Sequence, residues 1–206
     1  MTLIILSIIA LIFAIITIYA KLRENEVVQF IFKPLTMLAI ILLAFLNSSA
    51  PMTFYQKAIL AGLIFSTIGD VFLVKDKQFF VQGLVSFLIG HICYIVAFWT
   101  APNLPSGLIY LGYIGVFLTM LWKHLGKLKI PVIIYSLAIA VMSWMALSRT
   151  IENHNHQTFH AFLGSLMFVA SDSLLGFNKF KSPIRLAPIW ILGTYFLAQW
   201  FIALSV

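Results

Sequence analysis

Two aspartates, Asp70 and Asp172, lie deep inside apolar stretches, Leu60–Val74 and Phe159–Phe177. An ionised carboxylate in hydrocarbon is costly, so an acid in such a place marks a functional site by default. The two frames are alike. Gly62 precedes Asp70 by eight residues, and Gly164 precedes Asp172 by eight. Phe65-Ser66-Thr67-Ile68-Gly69-Asp70 can be laid beside Phe168-Val169-Ala170-Ser171-Asp172. Two acids within reach of each other can hold different protonation states, one as general acid and the other as base. Other polar residues fall at helical spacing. Ser66 is four before Asp70, His91 and Tyr94 are three apart, and Tyr195 and Gln199 are four apart, so each pair shares a helix face. They suggest a hydrated pocket. Helix–helix hydrogen bonding is the plainer explanation for any single Ser, Tyr or Gln.

Two other chemistries compete. Asp70, His91 and Asp172 could hold a catalytic zinc with water in the fourth position. Buried acids also serve proton-coupled transporters. His154, His156 and His160 form a second His-rich tract, which reads as a polar interfacial loop more readily than as a metal site. GxSxG, P-loop and HExxH patterns are absent from the sequence.

These residues must be positioned by membrane-spanning helices. The chain has 206 residues, of which 62% are hydrophobic and only 9% charged, where a soluble domain is about a quarter charged. Mean hydropathy is +1.05. The apolar runs are continuous and helix-length, which excludes the alternating strands of a β-barrel. The expected class is therefore an all-α integral membrane protein. Cys93 is the only cysteine, so an internal disulfide and a Cys-based metal site are both excluded. The net charge of +7 comes from basic residues between apolar runs, as in membrane anchors, so no nucleic-acid partner is expected. The first run, Thr2–Tyr19, lacks a basic leader and a small-residue cleavage site, and reads as a retained helix.

Eight transmembrane helices fit, at roughly 2–20, 34–49, 57–74, 79–98, 106–122, 130–148, 158–176 and 186–204. The breaks fall at Lys33-Pro34, Pro51, Lys75-Asp76-Lys77, Pro102 to Pro105, Lys129 to Pro131, Glu152 to Gln157 and Pro183. The second helix is the shortest. Eleven basic residues fall in odd-numbered loops; Lys57 and Arg149 fall on the other side. The positive-inside rule then puts the odd-numbered loops in the cytoplasm and both termini outside. The expected setting is a bacterial inner membrane. The acid frames, and Lys33-Pro34 beside Lys129-Ile130-Pro131, fit an internal repeat of residues 1–100 and 101–206. Chance likeness between apolar segments would explain them too. At about 1.5 Å per residue, both acids lie in the cytoplasmic half.

Five short motifs, in order, carry a resemblance. They are Phe32-Lys33-Pro34-Leu35-Thr36; Ala61-Gly62-Leu63 with Ser66 and Gly69-Asp70; Gly90-His91 with Tyr94; Phe162-Leu163-Gly164-Ser165-Leu166-Met167-Phe168 with Ser171-Asp172; and Tyr195 with Ala198-Gln199. From about residue 29 to the C-terminus the chain resembles the YhhN-like lysoplasmalogenase family. The resemblance implies eight membrane helices. It also implies hydrolysis of the sn-1 vinyl-ether bond of lysoplasmalogens to a fatty aldehyde and glycerophosphoethanolamine or -choline. The family's paired acids map onto Asp70 and Asp172, with His91 to orient water or shuttle protons. Ser66, Tyr94, Ser171, Tyr195 and Gln199 would line the substrate site. Lys33, followed by Lys75 and Arg185, is the expected partner of the lipid phosphate. The implied partners are a lysophospholipid and membrane lipids; no cofactor is needed, and the oligomeric state is left open. The chemistry agrees, since vinyl-ether hydrolysis begins with proton transfer to carbon and passes through an oxocarbenium ion.

Overall fold

Asparagines start three of the helices. The side chain of Asn25 accepts a hydrogen bond from the Val28 amide, Asn103 from Ser106, and Asn155 from Thr158, each satisfying an amide that has no partner within its helix. The structure, a computed structural model, describes residues 1–75 and 79–206, with only the backbone of Lys75. Among the described residues there are eight α-helices: α1 Thr2–Leu22, α2 Glu26–Asn47, α3 Phe54–Lys75, α4 Phe80–Phe98, α5 Leu104–Leu121, α6 Lys129–Asn153, α7 His156–Phe180 and α8 Ala187–Leu204. Each is long and apolar enough to cross a bilayer. The protein is an all-α integral membrane protein, as expected. Most of the Lys75-Asp76-Lys77 break lies outside the described residues.

The largest correction concerns α2. Lys33-Pro34 does not break the chain but sits inside a helix of 22 residues, so α2 is not the shortest. Asn25 supplies the cap and Glu26 an acid in the first turn, which together give a complete start signal. Pro34 removes only one donor, a loss that packed membrane helices tolerate. The far end of α6 also differs. The helix continues past Arg149 to Asn153 and stops where His154 turns left-handed at φ 50°. Only His154 and Asn155 link α6 to α7.

Neighbouring helices pair closely: α1 with α2, α3 with α4, and α7 with α8. Across the middle, α4 packs on α6 and α2 on α8. Small residues permit the tightest approaches. A Cβ added at Gly164 in α7 would lie 2.8 Å from the Ala198 carbonyl of α8. One added at Gly62 in α3 would strike the Tyr94 ring of α4 at 2.2 Å. The core between the helices includes Met37, Leu43, Leu63, Phe98, Met142 and Phe168, all fully buried. Outward faces carry large apolar side chains such as Ile4, Leu11, Leu108 and Val116, as a lipid-facing surface requires.

Candidate active site

Both aspartates open onto one cavity of about 440 Å³. It lies at the end of the bundle where α1, α3 and α7 finish and α2, α4 and α8 begin. Lys21, Asn178 and Lys179 line its mouth, the buried Gln29 lies within, and Leu84, Phe87 and Leu192 form part of its apolar wall.

The two carboxylates sit in different settings. Asp70 is 1% exposed. Its Oδ1 pairs with the Lys33 ammonium at 2.8 Å, and its Oδ2 accepts a hydrogen bond from the Tyr195 hydroxyl at 2.6 Å. Lys33 reaches it because the buried stripe of α2, Gln29-Lys33-Thr36-Ile40-Leu43, runs straight through Pro34. An anion held by a cation and a hydroxyl is an acceptor only. Asp172 is half-buried, and its Oδ2 accepts from the Tyr135 hydroxyl of α6. Beside it, Ser171 donates to the Ile191 carbonyl of α8 at 3.0 Å, which fixes the end of α7 against α8.

Of the residues singled out from sequence, Lys33, Asp70, Ser171, Asp172 and Tyr195 line this cavity together. Ser66, His91, Tyr94 and Gln199 do not line it; they lie behind it, each buried. There Tyr94 donates to Gln199 Oε1 at 2.7 Å, a bond between α4 and α8. His91 is enclosed by aromatic edges, 4.6 Å from the Phe168 ring centroid and 5.2 Å from that of Tyr135. It borders the site through Tyr135 rather than facing the cavity. Among the described residues, no three His, Cys, Asp or Glu side chains converge, so the zinc reading finds no donor set here. The His154–His160 tract lies at the opposite end of α7 from Asp172.

Lys33 was expected in a loop at the membrane face. It lies instead within α2, 7% exposed and paired with Asp70. Lys75, the next expected phosphate partner, has its side chain outside the described residues; Arg185 is in the α7–α8 loop. Tyr135 was not singled out at all, and nothing in its apolar surroundings marks it before α6 is laid against α7.

The model of the YhhN family matches residues 28–206. The human lysoplasmalogenase TMEM86A (Homo sapiens) is 33% identical over 153 residues, which is 71% of this chain and 64% of that protein. The human lysoplasmalogenase TMEM86B is 32% identical over 167 residues, 80% of this chain and 70% of that protein. The membrane protein YhhN of Escherichia coli O157:H7 is 27% identical over 178 residues, 82% of this chain and 84% of that protein. The chain therefore spans just under two thirds of the length of TMEM86A. No solved structure matches the chain.

Proposed function

The chain belongs to the YhhN family, and from that premise we propose that it is a lysoplasmalogenase. It hydrolyses the sn-1 vinyl-ether bond of a lysoplasmalogen to a fatty aldehyde and glycerophosphoethanolamine or -choline. One observation carries this reading: two carboxylates of unlike setting share one cavity with a basic mouth. Relatives named lysoplasmalogenases support it.

The two settings divide the work. Asp172 is the general acid. It gives a proton to the vinyl carbon remote from oxygen, and the double-bond electrons form the new C–H bond. The carbon next to oxygen becomes an oxocarbenium centre. Asp70, its negative charge held by Lys33 and Tyr195, stabilises that cation electrostatically. Water then adds to the cation and passes a proton to the Asp172 carboxylate, which restores the acid. The hemiacetal collapses to aldehyde and alcohol as its hydroxyl proton moves to the departing glycerol oxygen. One water is consumed, and the side chains end as they began. Tyr135 orients Asp172 throughout. The lipid phosphate sits at the basic end of the cavity, where Lys21 and Lys179 are among the lining residues.

The membrane is a bacterial inner membrane, with the mouth facing the cytoplasm and both termini outside. The deciding experiment is release of fatty aldehyde from lysoplasmenylethanolamine by the purified protein, beside Asp172→Asn. Wild-type turnover in Asp172→Asn would remove the proposed acid. Uptake of a solute by proteoliposomes with no bond cleaved would replace the hydrolase by a transporter.

A further inference from the structure

The carboxylate cavity accounts for the head of a lipid and the bond to be cut. A second cavity, of about 670 Å³, lies between α1, α2 and α8 and has an almost wholly apolar wall in which Ser7 and Thr36 carry the hydroxyls. The same three helices line both cavities, and on each a single stripe passes from one to the other. On α1, Lys21 borders the first cavity; Ile18, Ala14 and Leu11 border the second. On α2 the order is Lys33, then Thr36 and Ile40; on α8 it is Leu192, then Phe196 and Trp200. Spacings of three and four keep each stripe on one helix face. The apolar groove therefore starts about one turn along each of the three helices from the carboxylate cavity.

Its length suits one lipid chain. From Ile18 to Leu3 the α1 wall rises roughly 22 Å at 1.5 Å per residue. One leaflet of hydrocarbon is about 15 Å deep, half of a bilayer core. Towards the far end, the Trp200 indole N–H donates to Ser7 Oγ at 3.0 Å, so the polar atoms of both walls satisfy each other and leave the groove apolar. At the near end, Gly193 leaves open space: a Cβ added there would meet nothing within 4 Å.

We infer that the α1–α2–α8 groove binds the single hydrocarbon chain of a lysolipid while its head group occupies the carboxylate cavity. This rests on the lysoplasmalogenase reading and extends it. The bond to be cut joins chain to glycerol, so the reaction needs a site where an apolar slot meets a polar, acid-bearing one. Where the stripes pass from Lys21 to Ile18, from Lys33 to Thr36 and from Leu192 to Phe196, the two come within about one turn of each other. After cleavage the aldehyde is held in the groove, which borders lipid, and the glycerophospho product leaves by the basic mouth.

The test is Gly193→Phe, which adds bulk to open space in the groove. Gly115→Phe on α5, where an added Cβ also meets nothing within 4 Å, is the control for bulk in the membrane. In Gly193→Phe, the ratio of kcat/KM for an octadecenyl-length substrate to that for an octenyl-length one falls about tenfold or more, the scale of discrimination in apolar pockets. The control keeps the wild-type ratio. An unchanged ratio in Gly193→Phe overturns the inference, as does an equal fall for both substrates. A second readout needs neither turnover nor a variant. Lysophosphatidylethanolamine with a diazirine at its chain end, photolysed on the wild-type protein, labels α1 near Leu3–Ser7 and α8 near Trp200. Labelling spread over all lipid-facing helices, as bulk membrane lipid would give, overturns the groove even where aldehyde release is intact. If labelling is confined to the groove but no aldehyde forms, the chain site stands and the hydrolase reading alone fails.

Discussion

Lys33 and Asp70 form the residue pair on which most depends. Their side chains are 9% and 1% exposed. Removing one partner of a buried pair leaves an uncompensated charge, a loss of about 3–5 kcal/mol. Lys33→Met should therefore lower the melting temperature in detergent by roughly 10 °C. Adding Asp70→Asn to it should recover most of that loss without restoring aldehyde release. A single variant as stable as wild type would mean that the pair carries little of the fold. At the other acid, Tyr135→Phe removes only a hydroxyl. It should lower kcat with little change in KM, by something like tenfold, because Asp172 loses its orientation and not its proton. An effect on KM alone would place Tyr135 in substrate binding instead. Asp70, Asp172 and Tyr195 could be found from sequence because a polar side chain in a long apolar run is conspicuous. The partners could not all be found that way. Lys33 was named for the lipid phosphate rather than for Asp70 because the proline beside it looked like a helix break, although the spacing Gln29-Lys33-Thr36-Ile40 already continued through it. Tyr135 is one of seven tyrosines, and only the packing of α6 on α7 distinguishes it.

At the scale of elements, the site is held by close helix pairs. Asp70 and Asp172 project from α3 and α7, which pack tightly on α4 and α8 respectively. In each pair a glycine eight residues before the acid faces the partner helix: Gly62 meets Tyr94, and Gly164 meets Ala198 and Ile202. The two corners share this placement of a glycine. The contacts differ in what can yield. At Gly164 an added methyl meets backbone, 2.8 Å from the Ala198 carbonyl and 2.9 Å from the Ile202 amide, so α7 and α8 must part. Gly164→Ala should destabilise the protein by about 1–3 kcal/mol, as overpacking does, and should lower kcat by shifting Ser171 off the Ile191 carbonyl and moving the adjacent Asp172 with it. Thermal unfolding with and without a bound lysolipid would check it; wild-type stability would show that the helices slide freely. The existence of all eight helices was legible because each apolar run is long. Their ends were less so. At α2 the mostly apolar residues 27–32 were cut off by the proline that follows them, and at α6 the helix runs past its apolar stretch to an end set by His154.

For the whole molecule, the asymmetry of charge and the position of the cavity point the same way. Of thirteen basic residues, Lys33 belongs to the interior, which leaves twelve. Lys57 and Arg149 lie at the far end, and Arg149 donates to the Ala97 carbonyl at 3.0 Å while lying over the Tyr55 ring. Among the described residues, the side chains of Lys21, Arg23, Lys123, Lys127, Lys129, Lys179, Lys181 and Arg185 belong, by helix order, to the end where the cavity opens. A bias of this size in short loops sets orientation, and anionic lipid on the cytoplasmic leaflet adds attraction of about 1 kcal/mol per basic residue near the surface. The same charges would hold a lysolipid phosphate at the mouth, so orientation and substrate capture call for one arrangement. Two measurements separate them. In a Cys93→Ser background, which removes the only cysteine, Lys181→Cys should react with an impermeant thiol reagent only from the cytoplasmic side, and Asn153→Cys only from outside. The reverse pattern would invert the topology and move the substrate to the outer leaflet. Lys21→Ala should leave that labelling unchanged yet raise KM several-fold at constant kcat, since it weakens ground-state and transition-state binding alike. If Lys21→Ala changes neither constant, the charge at α1's end is an anchor, and the phosphate must be held by Lys179 with the polar side chains beside it.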